Sequence, residues 1–159
     1  MAAEGSFSLI GVEQVLKNME YVSDTVRGKR GRAALRKAGM IVVAAAKSKV
    51  ERYDDPGTGR KISENVAIRW NGRRNKATGD IAWRIGVLKG ARIPKNNHEG
   101  SGAGSATPHW RLIEFGTKVS IAKPFLRPAL ADNVGAVTSA FVSELTKGIA
   151  SAIKTGKTL

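Results

Sequence analysis

A chain of 159 residues with 42 % hydrophobic and 25 % charged residues has the composition of one folded domain and not of a disordered tract. It has no cysteine, which excludes a disulfide framework, a thiolate metal site and a cysteine nucleophile, and no apolar run nears the roughly 20 residues that span a bilayer. Its formal charge of +14 points to a polyanion or an acidic neighbour as partner, although charge alone does not separate nucleic-acid binding from a merely basic surface.

The first 16 residues carry Glu4 and Glu13 and lack the basic-then-apolar order of a signal peptide. The chain is therefore expected to be neither exported nor embedded in a membrane, in keeping with synthesis in a reducing cytoplasm. Leu9, Val12, Val15, Leu16 and Met19 recur at helical spacing behind a cap at Ser8, which predicts a helix over about 9–21. A polar break over 23–31 follows. A second helix is predicted from the apolar stripe Leu35, Ala38, Ile41, Val42, Ala45 and Ala46, with Lys37, Lys47 and Lys49 largely off it. It should stop before Asp54-Asp55-Pro56-Gly57.

Val66, Ile68 and Trp70, and then Ile81, Trp83, Ile85 and Val87, alternate with small or polar residues at the period of half-buried strands. The polar, basic run between them predicts an extended hairpin with a long loop. The stretch at about 90–108 is rich in Gly, Ser, Ala and Asn and reads as a flexible loop inside the single domain 1–159. Trp110, Leu112, Ile113 and Phe115 form an apolar stretch that ends in a reversal at Gly116. Pro128 suits the first turn of a last helix, marked by Leu130, Val134, Val137, Phe141, Leu145, Ile149 and Ile153. The pattern predicts an α+β domain: a small antiparallel sheet packed against an N-terminal helical part and a long C-terminal helix that serves as its main cover.

Catalytic constellations are not found. His98 and His109 belong to no metal-ligand pattern. Gly156-Lys157-Thr158 has the end of a phosphate loop without its first glycine or a preceding strand. No nucleophile–base pair or metal set is visible, so no enzyme activity, metal or cofactor is expected. Glu114 is the one carboxylate inside an apolar run. A buried carboxylate needs partners, so it reads as the acceptor of hydrogen bonds from a neighbouring turn or an arginine, with a general base as the alternative. The basic residues gather at the head of the second helix (Arg27, Lys29, Arg30, Arg32, Arg36, Lys37) and at the hairpin (Arg69, Arg73, Arg74, Lys76). Phosphates or an acidic partner are their expected contacts, without sequence readout. Trp70 and Trp83 read as core side chains more than as base-stacking platforms.

Two segments carry a family resemblance. Glu114-Phe115-Gly116-Thr117, followed by Pro124-Phe125-Leu126-Arg127-Pro128-Ala129-Leu130, resembles the E-F-G-T … P-F-L-R-P-A-L signature of tailed-phage head–tail joining and tail-completion (neck) proteins, similar to the minor tail protein Z group of lambdoid phages. The order of helices, a break at Pro56-Gly57-Thr58-Gly59, strands and a long last helix agrees with that layout, whereas the Gly/Ser-rich insert before His109 is longer than the family's. The resemblance implies a structural virion protein, assembled in the host cytoplasm, that forms a ring, expected to be a hexamer, at the neck. Its implied partners are the connector or stopper, the tail terminator, the tail tube and, in the lumen, genomic DNA, with no membrane. Glu114, Phe115, Gly116, Thr117, Pro124, Phe125, Leu126 and Pro128 would form a fold and assembly corner, with Phe125 and Leu126 anchoring the last helix on the sheet. Arg27, Lys29, Arg30, Arg32, Arg36, Arg73 and Arg74 would line the channel or face an acidic neighbour. A tail terminator and a free, non-specific DNA-binding protein are the competing readings.

Overall fold

The computed structural model describes residues 12–54, 57, 60–88 and 107–154. Among these residues the chain forms α1 (Val12–Arg27), α2 (Lys29–Glu51), a single turn α3 (Ile62–Asn65), β1 (Val66–Trp70), α4 (Gly72–Thr78), β2 (Trp83–Val87), α5 (Trp110–Phe115), α6 (Leu126–Ala131) and α7 (Val134–Lys154). The cap at Ser8, residue Leu9, nearly all of the predicted loop at 90–108 and the C-terminal Gly156-Lys157-Thr158 lie outside the described residues.

The scaffold is α2, because its sequence is small on more than one side. Gly31, Ala34, Ala38, Gly39, Val42, Val43, Ala46 and Val50 are all buried, and they reach the other helices and the sheet at once. Small side chains let neighbouring backbones come close. Val42, Val43, Ala46 and Val50 meet Ile62 of α3, Val66 of β1, Phe125, and Ala129 of α6 in one apolar core. Full burial of a side chain like Phe125 is worth about 1.5–3 kcal/mol.

The helix α7 runs antiparallel along α2. The Arg30 guanidinium donates to the Gly148 carbonyl, Lys37 pairs with Glu144 at 2.8 Å and Lys49 with Asp132 at 2.8 Å, so rising numbers on one helix meet falling numbers on the other. The strands pair antiparallel in the register Val66↔Val87, Ile68↔Ile85 and Trp70↔Trp83. The face formed by these three pairs packs on α2. A Cβ at Gly39 would stand 2.6 Å from the Ile68 Cδ1, so the sheet reaches α2 only because that position lacks a side chain.

The α+β architecture with a small antiparallel sheet and a long C-terminal helix matches the sequence reading, and five details differ. The polar stretch 23–31 is not a break: α1 continues to Arg27 and only Gly28 interrupts it. Polar residues do not stop a helix unless they offer the backbone another partner, and Ser23, Asp24 and Thr25 are followed by Val26 and Arg27 with no Gly or Pro. The long hairpin loop is in fact α4. Asn71 caps it by accepting from the Arg74 N–H (3.3 Å), and Gly79 closes it at φ +75°. Residues 110–115, read only as an apolar stretch before a reversal, are helical. The last helix is two helices, because Asn133 turns the chain: its Nδ2 donates to the Ala129 carbonyl (2.9 Å), while its own carbonyl accepts the Val137 N–H (2.9 Å) and so starts α7. The cover of the sheet is α2, and Phe125 and Leu126 anchor α6 chiefly on α2, with Val66 the contribution of β1.

The α1–α2 corner depends on Gly31. A Cβ there would fall 1.7 Å from the Val26 carbonyl oxygen, which belongs to the backbone and cannot rotate away. Gly31→Ala is expected to lose about 1–3 kcal/mol of stability in urea unfolding, the scale of an overpacked core. Gly39→Ala meets only the end of a rotatable Ile68 side chain and should lose less.

Candidate functional site

The candidate corner is built from α5, the loop 116–124 and the start of α6. Glu114, in the last turn of α5, is 1 % exposed. Its Oε2 accepts the N–H groups of Phe125 (2.7 Å) and Leu126 (3.0 Å), and its Oε1 accepts the Arg127 N–H (3.4 Å) and the Arg127 Nε (3.1 Å). The same guanidinium donates through Nη2 to the Glu114 carbonyl at 3.0 Å and lies 5.4 Å from the Phe115 ring centroid. One carboxylate thus receives the free backbone donors that open α6 and ties them to the end of α5.

Removal from water favours the neutral acid, but the N–H groups of Phe125 and Leu126 and the Arg127 side chain outweigh it. The carboxyl therefore titrates below its ordinary value of 4.5. Among the described residues, no buried side-chain nitrogen or oxygen lacks a hydrogen-bond partner.

The loop is as tightly specified as the helices beside it. Gly116 has φ +75°, and a Cβ there would stand 2.8 Å from the Ala122 nitrogen and 3.0 Å from the Ser120 oxygen. Only glycine meets both demands. Thr117 donates its N–H to the Ser120 carbonyl (2.9 Å), and its hydroxyl accepts the N–H groups of Val119 (3.2 Å) and Ser120 (3.0 Å). Lys123 donates its N–H to the Ile113 carbonyl at 2.7 Å. Pro124 is exposed, Phe125 is fully buried, and Pro128 lies in the first turn of α6.

Beside the exposed Lys118, Ser120 and Lys123, this loop displays two large apolar side chains. Val119 is 96 % exposed and Ile121 86 %, with Phe115 at 64 % and Leu112 beside it on α5. Single exposed apolar residues are ordinary, but here four stand on one tied corner. The exposure of Val119 and Ile121 has no counterpart in the sequence reading, because an apolar residue in a loop carries no sign of which way it faces.

The structure divides the predicted basic residues. Arg32 lies over the Trp70 ring at 5.0 Å and Arg36 over the Trp83 ring at 6.0 Å, while the two indoles meet edge-on at 5.4 Å. Trp83 Nε1 also donates to the Arg32 carbonyl at 3.1 Å. Arg30 is engaged by Gly148, and Arg74 by Asp80 at 3.2 Å. Arg27, Lys29 and Arg73 are exposed and have no partner among the described residues. One further feature escaped the sequence reading: Arg69 and Arg84 stand directly opposite each other on the outer face of the sheet, both exposed. Like charges so placed are destabilising unless an anion lies between them. The register that pairs them depends on α4, which the sequence reading had as a loop.

His109 precedes α5 as its half-buried cap residue, and His98 lies outside the described residues. Among the described residues no three His, Asp or Glu side chains gather so as to hold a metal ion, and no helix is long and apolar enough to cross a membrane.

Comparison with known families gives a match. Residues 13–116, well over half the chain, fit the HK97-gp10-like family, described as "Bacteriophage HK97-gp10, putative tail-component". The match ends at Gly116, so it includes Glu114 and Phe115 and leaves out the rest of the loop and α6. No curated protein and no solved structure matches the chain.

Two substitutions test the clamp. Glu114→Ala leaves the Phe125 and Leu126 N–H groups without their acceptor and is expected to lose on the order of 2–3 kcal/mol, the cost of orphaned buried donors. Glu114→Gln keeps an acceptor but turns an amide NH2 towards Arg127, and should lose less. The folded carboxyl binds its proton less readily than the unfolded one, so its contribution is complete above the ordinary value of 4.5 and is lost as pH falls through the lower folded value. Urea unfolding between neutral pH and pH 3 should show that acid-side loss in the native chain and a shallower one in Glu114→Gln.

Proposed function

We propose that this chain, which belongs to the HK97-gp10-like family of bacteriophage tail components, completes the tail and joins it to the DNA-filled head as one subunit of a ring at the neck. It acts as a structural virion protein, in contact with the connector or stopper on one side and the tail terminator or tail tube on the other, and it carries out no reaction. The copy number we favour is six.

The observation that supports this reading best is the corner itself. A buried carboxylate, held by three backbone N–H groups and the exposed Arg127 side chain, and a sterically obligatory glycine hold a loop whose Val119 and Ile121 side chains face water. A rigid apolar surface of that kind suits a partner protein and has no value to an isolated subunit. The corner residues Glu114, Phe115, Gly116, Thr117, Pro124, Phe125, Leu126 and Pro128 therefore serve assembly through the fold.

The unpaired cations Arg27, Lys29 and Arg73, with the Arg69–Arg84 pair, are the groups best placed to meet DNA phosphates in the lumen. Arg32 and Arg36 contribute charge from above their tryptophans, and Arg30 and Arg74 contribute less because Gly148 and Asp80 engage them. Such contact would be electrostatic and indifferent to sequence.

The test is negative-stain electron microscopy of a lysate from phage carrying a null allele. Filled heads beside separate tails of normal length are expected. Overlong tubes would replace joining with a terminator role, and intact infectious particles would remove both.

A further inference from the structure

We propose that the outer face of the two-stranded sheet holds the sugar–phosphate backbone of duplex DNA, with Arg69 and Arg84 as its paired contact. The proposal rests on the DNA contact in the proposed function and gives it one site and one form of DNA.

The geometry starts in the ladder. Leu88 donates its N–H to the Asn65 carbonyl (2.8 Å), and Asn71 donates its own to the Ala82 carbonyl (2.9 Å). Hydrogen-bonded and non-bonded pairs alternate along antiparallel strands, so Arg69–Arg84, which falls between those two, is a hydrogen-bonded pair with Cα atoms about 5.5 Å apart. Both side chains leave the same face side by side. Two guanidinium groups rooted so close can converge on one phosphate, and the planar fork of each matches its oxygens. Both arginines are exposed, and neither has an ion pair or hydrogen bond among the described residues.

The charge around the pair is of one sign. Residues 66–87 carry Arg69, Arg73, Arg74, Lys76 and Arg84 against one acid, Asp80, which Arg74 engages at 3.2 Å. Glu64, just before β1, pairs with Lys61 at 3.9 Å. Arg73 and Lys76, exposed about one turn apart on α4, have no partner among the described residues.

The rest of the face decides what covers it. Ala67 and Gly86 stand opposite each other beside the arginines, and a Cβ at Gly86 would meet nothing within 4 Å. Beyond the arginines on the other side come Asn71 and Ala82. No large apolar side chain belongs to this face, so a partner protein would find no apolar centre to bury, as specific protein interfaces have. A phosphate backbone needs only charge, donors and close approach. Single strands are held by bases stacked on aromatic rings, but Trp70 and Trp83 lie on the opposite face, against each other and beneath Arg32 and Arg36. A duplex, whose bases stay inside, needs no such ring.

The test uses the full chain and follows fluorescence anisotropy of a labelled mixed-sequence duplex of about 30 base pairs across a salt series. Far-UV circular dichroism shows that each variant is folded, which is expected because neutralising opposed like charges removes a repulsion. Arg69→Ala with Arg84→Ala should weaken binding by about tenfold at low salt and flatten the log–log salt slope by about 2, since each phosphate contact contributes roughly 0.9. Arg69→Lys with Arg84→Lys, which keeps both charges, should keep the slope. Lys17→Ala with Lys47→Ala, an equal loss of charge elsewhere on the exposed surface, should also keep it. A second duplex of different sequence should bind equally, and a single strand of the same length more weakly. A wild-type chain that does not bind, an alanine pair with the wild-type slope, a lysine pair with the alanine slope, or a control as damaging as the alanine pair would overturn the site. Equal or tighter binding of the single strand would overturn the duplex, and polyglutamate bound as tightly as DNA at equal anionic charge would give the face to an acidic protein. None of these results touches the neck role, which the null-allele particles decide.

Discussion

Glu114 gives up its hydration so that α6 can begin where it does. An unpaired carboxylate in that position would cost several kcal/mol, and the chain offsets this with three backbone N–H groups and one arginine. The consequence reaches beyond the ion pair. With the N–H of Phe125 committed to Glu114, the Phe125 ring is directed into the core against Val42, Val43, Ala46 and Val50. The loop between the two ends has then a fixed span to cross, and Gly116 with the Thr117 turn is the local solution. The exposed Val119 and Ile121 follow from that geometry, as the outer side of a loop whose inner side is taken up by backbone contacts.

The other half of the design lies in the smallness of α2. A helix that carried a conventional leucine stripe would offer one packing face. Here Gly31 admits the end of α1, Gly39 admits Ile68 of the sheet, and the buried alanines leave room for α7. The price of such close approach is that large side chains are few, and much apolar surface on α1, α5 and α7 is left in water. That balance suits a subunit whose remaining apolar surface is covered by copies and neighbours, and it agrees with membership of a family of tail components.

Much of this was legible in the sequence, and the parts that were not share physical causes. The two strands stood out because Val66, Ile68 and Trp70 and their partners keep the period of two, and α2 because its alanines keep the helical period. Glu114 stood out because a lone acid in an apolar run must find donors. The helix α4 was hidden because its stabilisation comes from two caps, Asn71 and Gly79, and not from any apolar stripe. The split between α6 and α7 was hidden because the hydrophobic period runs on through it, while the decisive event is a side-chain bond from Asn133 to Ala129. Of the basic residues, composition gave the number but not the allotment. That Arg30 serves a helix carbonyl and Arg32 a tryptophan face depends on which elements α2 brings together.

The central claim is that this chain works by being built into the junction between head and tail, with its Glu114 corner at a subunit contact. Cryo-electron microscopy of the intact virion's neck tests that most directly. The account predicts a ring of this chain between connector and tail tube, with Phe115, Val119 and Ile121 buried against a neighbour. Density that places the chain elsewhere in the particle, or leaves those three side chains facing solvent in every copy, would contradict it.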